Sequence, residues 1–223
     1  MKTTAILPVK RFSRAMSRLS ERIDPRARAA LLRGMLGDVL VALEQAVEVE
    51  RIIVVSGEGR AEKVAMEAAK RGVTPVEVLR DPDDRGHSEA VTLGILRAKA
   101  SGAECVALLP GDCPLIEPAE LDACLGRMTA ERVAVIPDRH DTGTNGLVMS
   151  PCDAIGPAFG EGSCERHLDR AGRAGWEAVV DDVASLALDL DTPADLDELI
   201  RLLQADPDRA PHTAAALKEF SIS

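Results

Sequence analysis

Short runs of aliphatic and β-branched residues alternate along this chain with longer stretches whose apolar positions recur every three or four residues. Thr3 to Val9 and Arg51 to Val55 are the first two short runs. Val76 to Leu79, Cys105 to Leu109, Val133 to Ile136, Gly146 to Ser150 and Ala178 to Val180 continue the series, and Leu186 to Leu190 reads as a further extended piece. Cys105 to Leu109 shows no polar alternation, which predicts a strand buried on both faces. Between the runs, Ala29, Leu32, Leu36, Val39, Leu40 and Leu43 mark one face of a helix, with Asp24 as N-cap and Pro25 as its first residue. Glu62 to Arg71 is an Ala-rich helix stopped by Gly72. Helices are also predicted over Ser88 to Ala100, Pro118 to Met128 with Glu117 as N-cap, Cys164 to Arg173, and Ala194 to Leu203 behind Asp191-Thr192-Pro193. From Asp206 onward Pro and charge dominate, so one domain is expected over 1–205 and a loosely held tail over 206–223.

Such alternation predicts an α/β fold, a mostly parallel sheet with helices on both faces. Ligands of these sheets bind at the carboxyl ends of strands, beside the point where strand order reverses. The loops after Val9, Ser56, Leu79, Leu109, Pro137, Ser150 and Leu188 are therefore where chemistry is sought. Composition narrows the partners. Aromatics make up 2% of the 223 residues, too few for stacking single-stranded nucleic acid, and the net charge of −10 argues against a duplex-binding footprint. No apolar run approaches the ~20 residues that span a bilayer. The five cysteines are odd in number with no C-x-x-C pair, which fits buried thiols in a reducing compartment. A cytoplasmic protein is expected, with no nucleic-acid or membrane partner.

Four cations, Lys10, Arg11, Arg14 and Arg18, follow directly on the first strand, where a polyphosphate would sit. The loop lacks both the P-loop and the G-x-G-x-x-G pattern, and a solvated basic loop is its bland alternative. Pro110-Gly111-Asp112-Cys113-Pro114 ends a buried strand and presents a carboxylate, which can hold Mg²⁺ or merely organise the turn. In Leu188-Asp189-Leu190-Asp191-Thr192-Pro193, alternation along an extended chain places Asp189 and Asp191 on one face. Asp191 has the competing role of helix cap, whereas Asp189 has none. With Asp112 they make three carboxylates, a number suited to two Mg²⁺ ions gripping a nucleoside triphosphate. Asp138 to Gly146 and Phe159 to His167 interleave Gly with hydroxyl residues, and Ser163 is placed to cap a helix whose N-terminus can bind an anion. Arg139, Arg166 and His167 can add charge there. Gly86 permits close backbone approach, and Ser88 either caps a helix or meets a base edge.

Leu-Pro-Val-Lys at the first strand, Pro-Gly-Asp-Cys-Pro-Leu at 110–115, Asp-Arg-His-x-Thr-Gly-Thr-Asn at 138–145, Phe-Gly-x-Gly-Ser at 159–163 and Asp-Leu-Asp-Thr-Pro-x-Asp-Leu at 189–196 stand in an order that resembles the guanylyltransferases of coenzyme F420 biosynthesis. The resemblance implies a nucleotide-diphospho-sugar-transferase-like (GT-A, Rossmann-like) fold. It implies transfer from GTP to a small phosphorylated three-carbon acid: 2-phospho-L-lactate, phosphoenolpyruvate or 3-phospho-D-glycerate. By the same resemblance, Asp112, Asp189 and Asp191 would hold Mg²⁺, two ions in this family's manner. Thr144, Gly160 and Ser163 would hold the acid, Lys10 and Arg18 the triphosphate, and the Gly86-His87-Ser88 turn would face guanine. Asp112 and Lys10 would carry catalysis, with no catalytic His or Cys. A homodimer and hand-off of product to the next enzyme of that pathway are compatible with it. Where the family has Ala-Lys-[Ser/Thr]-Arg-Leu this chain has Ala15-Met16-Ser17-Arg18-Leu19, and Arg11 or Arg14 is expected to replace the missing cation. A related transferase acting on a molybdopterin-like or sugar phosphate, or a protein that binds GTP and transfers nothing, are the alternatives.

Overall fold

A computed structural model describes residues 1–12, 16–81 and 86–222. Seven strands, β1 (Thr3–Val9), β2 (Val49–Ser56), β3 (Val76–Arg80), β4 (Cys105–Leu108), β5 (Arg132–Pro137), β6 (Thr144–Ser150) and β7 (Glu177–Val180), form one sheet in the order β3-β2-β1-β4-β6-β5-β7. Every pairing is parallel except those of β6, which runs antiparallel to β4 and β5. Strand order reverses beside β1, so the crevice lies between the carboxyl ends of β1 and β4.

The helices are α1 (Pro25–Gln45), α2 (Gly59–Arg71), α3 (His87–Ala100), α4 (Pro118–Gly126), α5 (Ser163–Arg173), α6 (Pro193–Ala205) and α7 (Pro211–Glu219). The sheet's alternating side chains separate two cores. Ala5, Leu7, Ile52, Val54 and Ala107 pack with α1, α2, α4, α6 and α7, while Ile6, Ile53, Val55, Val106 and Leu108 pack with α3 and α5. That division buries both faces of β4, as its unbroken apolar run predicts. Asp24 caps α1 by accepting from the N–H groups of Arg26 and Ala27, and Gly72 ends α2 at φ 69°. All five cysteines are free and buried. No helix among the described residues is long and apolar enough to cross a membrane.

Several expectations give way to tertiary contacts. Residues 206–222 are not a loose tail: a 3₁₀ turn over Pro207–Arg209 leads into α7, which lies on α1. Asp38 of α1 accepts from the N–H groups of His212 and Thr213 at 3.0 and 2.8 Å and from the Thr213 hydroxyl at 2.6 Å. A Cβ at Gly34 would come within 2.7 Å of the His212 carbonyl oxygen, so glycine is what permits this approach. Leu186 to Leu190 is not a strand; Ala184–Leu186 is a 3₁₀ turn followed by irregular chain. Glu117 precedes α4, but its side chain makes no cap bond and instead pairs with Arg209 at 3.1 Å. Met16 is a core residue, 6% exposed, at φ 53°. It therefore does not occupy a phosphate-facing place. Arg14, one of the two cations expected to compensate, lies outside the described residues, as do Asp84 and Arg85.

Candidate active site

A cleft of about 800 Å³ opens at the carboxyl edge of the sheet. Lys10 enters it from the end of β1 and Asp112 from the turn after β4, with Arg18 on the same wall. Because β6 runs against its neighbours, its beginning rather than its end reaches this edge. Leu108 pairs with Leu147, which carries Thr144 and Asn145 past the end of β4. The loop after Ser150 consequently belongs to the opposite edge. Ser88, Gly160, Asp189 and Asp191 complete the walls. Gly86 and Ser163 are not on its surface. Gly86 is the N-cap of α3 at φ 133°, and Ser88 makes no cap bond, so its helix-cap role falls away. Ser163 is the first residue of α5 rather than its cap, which is Gly162 at φ 67°. The Ser163 hydroxyl is fully buried and has no hydrogen-bond partner among the described residues.

Electrostatics single out the carboxylates. Burial, then the negative charges of Asp189 and Asp191, push the Asp112 carboxyl up to about 7, against a smaller opposing pull from Lys10. Asp189 is also raised, by burial first and then by Asp191 and Asp195, and is eased by a hydrogen bond from Asn145. Asn145 Nδ2 lies 3.3 Å from Asp189 Oδ1 and donates to the carbonyls of Leu186 and Ala187 at 2.8 and 3.3 Å. It thus holds the turn that aims Asp189, a task that strand periodicity alone did not reveal. Asp191 does not cap α6. Thr192 does so, in a reciprocal box with Asp195, leaving the Asp191 side chain in the cleft. Among the described residues no group of three or more His, Cys, Asp or Glu side chains is gathered closely enough to hold a metal ion unaided. Asp112, Asp189 and Asp191 line the same open cleft, so a cation bound there would take most of its shell from phosphate oxygens and water.

The other charges expected here are engaged elsewhere. Arg139 bridges to Asp195 at 2.9 Å, and Arg166 donates to the carbonyls of Ala158 and Gly160 in its own loop. Asp138 folds the turn that follows it by accepting from the N–H groups of His140, Thr142 and Gly143. His167 is buried and its pKa is lowered to about 4, chiefly by burial, then by Arg170 and Arg166, so it contributes no charge. Phe159 stands edge-on between His87 and His167, with ring centroids 4.8 and 5.1 Å away.

Residues 3–208 match the family model described as guanylyl transferase CofC like. The chain belongs to this family. CofC-like guanylyltransferases are nucleotidyltransferases, and relatives at substantial identity bear this out. A phosphoenolpyruvate guanylyltransferase of Conexibacter woesei is 42% identical over 222 residues, covering 99% of this chain and 97% of its own. A 2-phospho-L-lactate guanylyltransferase of Methanothermobacter thermautotrophicus is 34% identical, covering 90% and 85%. Among solved structures, a protein of Desulfovibrio desulfuricans G20 assigned to the nucleotide-diphospho-sugar transferases superposes with a TM-score of 0.72 at 20% identity, covering 98% of this chain and 95% of that one. That likeness establishes the CofC-like chain's fold as nucleotide-diphospho-sugar-transferase-like.

Proposed function

We propose that this protein joins the guanylyl group of GTP to the phosphate of a small phosphorylated three-carbon acid, with phosphoenolpyruvate the first acceptor to test, in the cytoplasmic biosynthesis of coenzyme F420. The observation that carries the reading is the meeting of Lys10 and Arg18 with Asp112, Asp189 and Asp191 in one cleft at the switch point. Cations that bind a triphosphate and carboxylates that bind a divalent metal are the two halves of a phosphoryl-transfer site.

In this reading Lys10 and Arg18 bind triphosphate oxygens, and His87 and Ser88 at the start of α3, which line the cleft, meet guanine. Thr144 and Gly160 hold the acid, while Ser163, buried at the start of α5, supports that wall from behind. One phosphate oxygen of the acid forms a bond to the α-phosphorus of GTP, and the bond from that phosphorus to the bridging oxygen breaks, releasing pyrophosphate. The attacking oxygen is already ionised, so no side chain has to remove a proton. Asp112, Asp189 and Asp191 would hold Mg²⁺, two ions in this reading, which when bound neutralises phosphate charge. The remaining work of the chain is alignment, and a well-aligned pair of reactants accounts for a large part of such a rate. Pyrophosphate release from GTP with phosphoenolpyruvate, 2-phospho-L-lactate and 3-phospho-D-glycerate tests the proposal. Turnover with one of them supports it. Turnover with none, by folded protein supplied with Mg²⁺, overturns it.

A further inference from the structure

We propose that His167 is a positioning residue that sets the Thr144 hydroxyl as a hydrogen-bond donor toward the acid, and so helps select an acceptor substrate that presents an anionic oxygen. The inference rests on the reading above that Thr144 meets the acid.

Two bonds fix the imidazole. The backbone N–H of Ala158 points at Nε2 across 2.8 Å, and Nδ1 lies 3.1 Å from Thr144 Oγ1. A backbone N–H only donates, so Nε2 is the unprotonated acceptor. In a neutral ring the proton then resides on Nδ1. The low pKa of this fully buried side chain keeps the ring neutral at physiological pH. Nδ1–H therefore donates to Thr144 Oγ1 and occupies one of its acceptor positions, which turns the hydroxyl's own hydrogen away from His167. Thr144 borders the cleft, so that hydrogen is available to an oxygen bound there.

His167 is well placed for the task because it joins three pieces of the acid-side wall. It sits on α5, accepts from the loop that continues into Phe159 and Gly160, and donates to the first residue of β6. Phe159 packs edge-on against the ring, 5.1 Å between centroids. His167 is not among the residues that line the cleft, so it acts on the acid only through Thr144.

Two conservative variants separate the bonds. Asn places an amide N–H₂ where Nδ1 stood, and Gln places a carbonyl oxygen near the position of Nε2. His167→Gln should raise KM for the acid roughly five- to tenfold, the loss of one hydrogen bond, while KM for GTP stays level. His167→Asn should return the acid KM to within about twofold of the parent. Equal rises in both variants, or both KM values moving together with the melting temperature, overturn the proposal in favour of plain packing. Nitrogen-15 NMR of the unsubstituted protein gives a check that needs no variant to fold. A neutral His167 with Nδ1 protonated is required, and the opposite tautomer overturns it. Thr144→Val separates this inference from its premise. If that change leaves the acid KM unaltered, the placement of the acid at Thr144 is wrong. If it raises the acid KM while His167→Gln does not, only the role of His167 is wrong.

Discussion

Asn145 and Asp189, 44 positions apart in the chain, meet through a 3.3 Å hydrogen bond from an amide on β6 to a carboxylate on an irregular turn. The same amide holds two carbonyls of that turn, so Asn145 fixes where Asp189 points and offsets part of the upward pull that burial exerts on its pKa. Asn145→Ala should lower turnover by roughly tenfold or more and shift the Mg²⁺ dependence to higher concentration, since a buried hydrogen bond to a charged group is worth about 1.5–3 kcal/mol. A titration of pyrophosphate release against Mg²⁺ would show it. An unchanged Mg²⁺ midpoint would separate Asn145 from the metal site.

Asp112 illustrates a conflict between function and stability. Its folded-state pKa of about 7 lies above the ordinary carboxylate value, so its ionisation opposes folding as pH rises through that range. Asp112→Asn should reduce turnover by on the order of 10²–10³ and, without added metal, raise the melting temperature at pH 8. A variant melting lower than the parent at pH 8 would contradict the electrostatic account.

Half-buried His87 and buried His167 act in the opposite sense. His87 and His167 both have pKa values lowered to about 4, by burial first, with Lys10 adding to the effect at His87. Each remains neutral in the folded chain while the unfolded chain takes up a proton below about 6.5. Stability from each is complete above that value and is lost as pH falls toward 4, at about 1.4 kcal/mol per pH unit per histidine. Melting curves of His87→Asn and His167→Asn should fall less steeply between pH 6.5 and 4.5 than those of the parent. Parallel curves would remove histidine protonation as the cause.

Met16 faces the core, and a Lys at its place would have to bury a charge or unpack the loop. Met16→Lys should cost about 2–4 kcal/mol of stability and leave GTP affinity unchanged. Thermal unfolding and GTP titration on the same preparation distinguish this from a gain of phosphate binding, which would appear as tighter GTP association.

Asp38 accepts three hydrogen bonds from the first turn of α7. Asp38→Ala should destabilise the protein by about 2–3 kcal/mol and expose the amides of His212 and Thr213 to hydrogen exchange. Retained protection of those amides would show that α7 is held by its apolar contacts alone.

Caps, strand periods and special backbone angles arise between near neighbours, and they were legible residue by residue. Asp24 with Pro25, the stop at Gly72, the buried run at β4 and the placement of Lys10 and Asp112 at strand ends all follow from local pattern. The motifs from Leu7 to Leu196 likewise carry the family in the sequence alone. Strand direction did not follow from local pattern, because an apolar run has the same period read either way. Only the sheet turned β6 around and brought Thr144 and Asn145, instead of the loop after Ser150, to the cleft. The partner of a charge is equally invisible from its neighbours. Arg139 looked available until Asp195 occupied it, and the polar stretch after Asp206 looked loose until Asp38, 175 positions from Thr213, capped its helix. Local sequence determines which elements form, whereas long-range pairing decides which side chains are left free to act, because a buried charge or N–H is satisfied by whatever the fold brings beside it.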